Sequence, residues 1–127
     1  MSERKNLSLE AGVDLVNHRL VKLSGGQAVY NTAAGTDNPV GATKLNAKSG
    51  DDVSIHPMNK EGTMEICAAG AISRGADVFA AADGKIQALP AGAGTYRRIG
   101  MAMAAASGDG SIIEVLPYGY TDTETVT

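Results

Sequence analysis

The chain has no tryptophan, one phenylalanine (Phe79) and one cysteine (Cys67) among 127 residues. Each absence excludes something. A lone cysteine forbids an intrachain disulfide and suits assembly in a reducing compartment. With so few aromatic side chains, the apolar fraction of 43% rests on Ala and Val. Burying alanine removes far less apolar surface from water than burying Leu or Phe, which gain about 1.5 to 3 kcal/mol each. The core is therefore thin, and self-association is the expected remedy for a marginal monomer. No Lys or Arg follows Arg98, whereas Asp109, Glu114, Asp122 and Glu124 do, so the C-terminal part is acidic. With a net charge of -3, the chain lacks the basic face that nucleic acid requires. No segment approaches the roughly 20 apolar residues of a membrane span, and the first ten residues lack a signal peptide's apolar run. These features predict one domain, made in the cytoplasm, with neither membrane nor nucleic acid as partner.

Turn signals are abundant. Ser24-Gly25-Gly26, Ala82-Asp83-Gly84-Lys85 and Gly108-Asp109-Gly110 each lie between short runs of small and β-branched residues. Gly and Asp tolerate the positive φ of tight hairpins, so these positions predict local strand pairing. Strands are expected over Arg19 to Leu23, Gln27 to Tyr30, Val40 to Thr43, Val53 to Pro57, Thr63 to Ala68, Asp77 to Ala81, Lys85 to Leu89, Arg98 to Ala104 and Ser111 to Leu116. Pro57 should end its strand or place it at a sheet edge. Met101 to Ala106 has helical propensity, but Gly100 and Gly108 leave too short a segment for an isolated helix, and strand is preferred. The expected architecture is all-β, a small compact barrel or sandwich. Residues 1–11 read as a loose polar arm, 12–117 as the β domain and 118–127 as a flexible polar tail. No repeat of fixed length emerges.

Chemistry is sparse. His18, His56 and Cys67 are the candidates for a metal site or a Cys/His couple, but they fall in different elements and lack ligand or activated-thiol spacing. Ala91-Gly92-Ala93-Gly94-Thr95-Tyr96 is superficially similar to a phosphate-cradling loop, yet it lacks a Gly-Lys-Ser/Thr ending and a following helix. Lys85 follows a turn glycine, unlike the modifiable lysine of biotinyl and lipoyl carriers, which sits within the turn. No catalytic, metal or cofactor-binding residue is assigned. Tyr96-Arg97-Arg98 has the composition of a subunit contact, since Tyr and Arg supply area and forked donors.

The order of several segments resembles a known family. They are Arg19 to Leu23 with its Gly-Gly turn, Pro39 to Thr43, Ala69 to Val78, Ala82 to Ile86, Ile99 to Ala102 and Gly108 to Val115. Across about residues 12 to 117 the chain is similar to the capsid cement, or head decoration, proteins of tailed bacteriophages. The resemblance implies a β-tulip-like domain that assembles as homotrimers on the outside of a mature head. It would bind the major capsid protein and stabilise the shell without catalysis or cofactor. The arm residues Glu3, Arg4, Lys5, Asn6 and Leu7 are then candidates for shell contact, by adding a strand to an exposed sheet edge. The alternative is a virion surface module that binds host glycans, which the scarcity of aromatics disfavours.

Overall fold

A computed structural model describes residues 7–59 and 62–127. Strand β1 (Leu7–Glu10) pairs antiparallel with β5 (Asp52–Pro57), which continues through β4 (Gly41–Thr43) and β2 (Leu20–Ser24) to β3 (Gln27–Tyr30). The second sheet is laid out in the same way. There β6 (Met64–Cys67) is followed by β10 (Ile112–Pro117), β9 (Gly94–Ala102), β7 (Asp77–Ala80) and β8 (Ile86–Gln87). A last strand, β11 (Thr123–Val126), pairs with the start of β9.

The two sheets are copies of one five-stranded motif, repeated about sixty residues further on. Register matches across the copies: Leu9 faces Val53 as Ile66 faces Ile113, and Gly41 faces Pro57 as Gly100 faces Pro117. The bridges Ala11 to Ala28 and Leu15 to Ala47 recur as Ala68 to Ile86 and Ile72 to Ala106. The first cluster, Ala11, Leu15, Val21, Ala28, Val53 and Ile55, has Ala68, Ile72, Val78, Ile86, Ile113 and Val115 as its counterparts in the second. This corrects the expectation of no repeat. Pairing retains register and strand order rather than identity, so the copies share little literal sequence.

In each copy the sheet curls until its margins touch through one parallel bridge, Ala11 to Ala28 or Ala68 to Ile86, and it does not close into a barrel. The architecture is sandwich-like. Alternation along β2 explains how the halves join: Val21 enters the first half's own cluster, while neighbouring Leu20, with Ala42 and Met58, enters that of the second.

Several expectations change in detail. Gly25 and Gly26, at φ +59° and +81°, form the two-residue turn predicted between β2 and β3. The Asp83-Gly84 turn also pairs its neighbours, through a 3-10 turn at Ala82–Gly84, but β8 stops at Gln87. Strands β9 and β10 pair only from Ala102 and Val115 onward, so Gly108 to Gly110 does not close a hairpin between them. Chain beyond Ala102 leaves to bridge Ile72, and the start of β10 pairs β6 instead. Strand β5 ends at Pro57 in the sheet interior, one of the two outcomes predicted.

Among the described residues, 7–11 and 123–126 are paired into sheets rather than loose, unlike the arm and tail expectation. Leu7 to Glu10 are hydrogen-bonded to β5 and Ala11 is fully buried, because Leu9 supplies an inward apolar side chain that so short a segment could not display as a pattern. Thr123 to Val126 cover the edge of β9, gaining ladder hydrogen bonds that demand little of side-chain identity. Glu3, Arg4, Lys5 and Asn6 lie outside the described residues.

Candidate interaction surfaces and the inter-half cleft

Folding brings together two residues that the sequence keeps apart. His18 and His56 line one cleft of about 620 Å³ between the halves, with Thr43 and Lys44 on the first-half side and Thr63, Met64, Glu65 and Glu114 on the other. The Cys67 N–H donates to the His18 carbonyl at 2.8 Å, which ties β6 to the first half. Thr63 Oγ1 donates to Glu114 Oε2 at 2.5 Å across that wall. Cys67 itself is buried, and its thiol donates to the Ala68 carbonyl. Among the described residues no three His, Cys, Asp or Glu side chains are placed to hold a metal ion. The cleft mixes both charge signs.

The Tyr96-Arg97-Arg98 triplet acts largely inside the chain. Arg97, 9% exposed, donates from Nη2 to the Gly35 carbonyl (2.8 Å), from Nε to the Asp37 carbonyl (3.3 Å) and from Nη1 to the Thr121 carbonyl (2.9 Å). One guanidinium thus pins a first-half loop and the C-terminal turn to β9, using the planar fork that only arginine has. Arg98 lies 3.6 Å from both Asp77 and Glu124 and stacks at 5.9 Å from the Phe79 and Tyr118 ring centroids. Tyr118 donates to Asp77 Oδ1, and this hydrogen bond to a carboxylate raises the phenol above its ordinary pKa. The Tyr96 hydroxyl donates to the Gly92 carbonyl, leaving a half-buried ring as what the triplet offers a neighbour.

The remaining candidates also have structural partners. Residues 91–94 run directly into β9 with no helix to follow, so their amides are not aimed as an anion cradle. Lys85 Nζ donates to Asp109 Oδ1 at 2.8 Å, and this bond lowers the Asp109 carboxyl pKa. Leu7 occupies β1, at a margin of the first sheet, and is 37% exposed. What sequence reasoning missed is the loop around Asp37. Its carboxylate accepts from Thr32 Oγ1, Thr32 N–H and Lys22 Nζ, and the Thr32 hydroxyl is the largest cause of its lowered pKa. The turn-rich composition of residues 32–39 was the available signal.

The family model for phage cement proteins matches residues 1–117. The chain belongs to the phage cement protein family. It is accordingly a structural protein of the phage head, located in the virion and bound to the capsid. Among solved structures it is similar to the head fiber gp8.5 N base of bacteriophage phi29, with a TM-score of 0.69 at 15% identity, covering 91% of this chain and 94% of that one. At that identity the likeness of this cement-family chain concerns the fold alone. No curated protein matches it.

Proposed function

We propose that the chain binds the exterior of a mature phage head as a homotrimer, contacts the major capsid protein of neighbouring capsomers, and stabilises the shell against internal pressure without catalysing a reaction. The observation that carries this reading is the family match over residues 1–117. Its support is physical as well. A core filled with Ala, Val and Ile gains from burial between subunits, and several weak contacts made at once give strong retention through effective concentration. The phi29 neighbour is described as the base of a head fibre, and a base that anchors a fibre must hold to the head surface. Residues Glu3, Arg4, Lys5 and Asn6 precede the marginal strand that Leu7 opens. Together with Leu7 they would extend pairing onto a shell edge, where main-chain hydrogen bonds ask little of side-chain identity.

The test is reconstitution. Purified protein is added to expanded heads that lack it, bound protein is counted after sedimentation, and the particles are then heated. Binding with a rise in the temperature of genome release is expected. Absence of binding, or binding with no gain in heat resistance, overturns the reading.

A further inference from the structure

The two halves meet head to tail. His18, Leu20, Asn31 and Met58 belong to the receiving face of the first half, and the insert is the β6 edge and the 82–84 turn of the second. The Gly84 N–H donates to the Asn31 carbonyl at 2.9 Å, and Arg19 Nη1 donates to the Asp83 carbonyl at 3.1 Å. A two-fold arrangement would repeat these contacts with the halves exchanged. Among the described residues no hydrogen bond joins Glu10 to Gly75, the counterparts of Cys67 and His18, and none joins the Gly25-Gly26 turn to the second half.

A head-to-tail contact leaves one receiving face and one inserting edge without a partner in the same chain. Both expose large apolar side chains where the register predicts contact, while Asp77, held by Arg98 and Tyr118, stands where Leu20 does. Tyr118 follows Pro117 as Met58 follows Pro57, yet Met58 is 4% exposed and Tyr118 38%. Leu116 stands where His56 does in the first half, at 40% against 8%. On the inserting side, Leu7 stands where Met64 does, at 37% against 4%. In each pair the member covered by the other half, or lining the cleft between them, is buried, and its counterpart is a large apolar side chain in solvent.

We propose that a second copy of this chain inserts its β1 edge, led by Leu7, against the β9–β10 face around Leu116 and Tyr118, repeating between chains the packing that joins the halves within one. The inference deepens the self-association in the reading above and rests on it. A contact of this kind joins unlike surfaces, so it closes into a ring when its rotation permits, and the homotrimer is such a ring.

Cross-linking tests the geometry. Met64 and His56 line the same cleft, so Leu7 of one copy and Leu116 of the next become neighbours. In the double variant Leu7→Cys with Leu116→Cys, a bis-maleimide long enough to span the cleft should yield covalently linked oligomers on a denaturing gel. Either single variant should yield none, since each surface meets the other and never itself. Leu116→Asp should lower the solution mass to that of a monomer while leaving the circular dichroism unchanged. Cross-linking of a single variant, failure of the double variant to cross-link, or a monomeric unaltered chain at tens of micromolar would overturn the proposal. Head binding of the unaltered chain is measured in parallel. A monomer that binds heads removes only the interface, whereas cross-linked rings that ignore heads remove the shell reading.

Discussion

Among the described residues, Arg97 is a buried cation held by three carbonyls and no carboxylate. Arg97→Ala would leave those oxygens without a donor, and a loss of about 2 to 4 kcal/mol is expected in chemical denaturation. Arg97→Lys should recover little, because an ammonium cannot reach three divergent acceptors from one plane. Asp37, on the same loop, sets a pH dependence. Its folded pKa lies below the ordinary carboxylate value, chiefly through the Thr32 hydroxyl. The folded state therefore binds its proton less readily than the unfolded chain. Asp37 stabilises the fold above about pH 4, and that contribution is lost as pH falls through the lowered value. Denaturation midpoints measured from neutral to acid pH should drop less steeply in Asp37→Asn than in the unaltered chain.

At the scale of elements, close strand approach is set by two glycines. A Cβ on Gly41 would lie 2.2 Å from the His56 carbonyl oxygen, and one on Gly100 would lie 2.2 Å from that of Leu116. Backbone cannot yield as a side chain does, so Gly41→Ala and Gly100→Ala should each cost at least about 2 kcal/mol. Gly108→Ala, with open space around its Cβ, should change stability by less than about 0.5 kcal/mol when all three variants are compared in chemical denaturation. The terminal strands show why polar ends were read as loose. Leu7 to Glu10 contribute Leu9 to a buried cluster, and Thr123 to Val126 contribute ladder bonds. Truncation after residue 10 therefore removes a strand from the sheet, in addition to any shell contact made by Glu3 to Asn6.

For the whole molecule, the decisive feature is that the copies of the motif do not keep separate cores. Leu20, Ala42 and Met58 belong to the first half by sequence and to the second half's cluster by packing. The chain should unfold in one cooperative transition, with circular dichroism and near-ultraviolet probes coincident. Leu20→Ala should lower the midpoint of that single transition, at a cost of about 2 to 5 kcal/mol. A separately expressed second half should lack a cooperative melt, and a sharp independent transition would contradict the shared core.

Much of the strand pattern was legible in the residues. Val53 and Ile55 alternate with polar neighbours, Gly25-Gly26 supplies the φ values its hairpin needs, and Met64, Ile66 and Ala68 point inward as their spacing requires. These are local relations, decided by a side chain and its nearest neighbours along the chain. The repeat was not legible, since Ala11 and Ala68, or Leu15 and Ile72, become equivalent only when their bridges are seen. Nor was the cleft that gathers His18 and His56, or the inward turn of Arg97, because an arginine beside a tyrosine reads as surface until a loop sixty residues away presents its carbonyls. Local pairing preferences follow from covalent order and side-chain shape. Which faces remain uncovered depends on how one copy of the motif rests on the other, and that was decided only by tertiary packing.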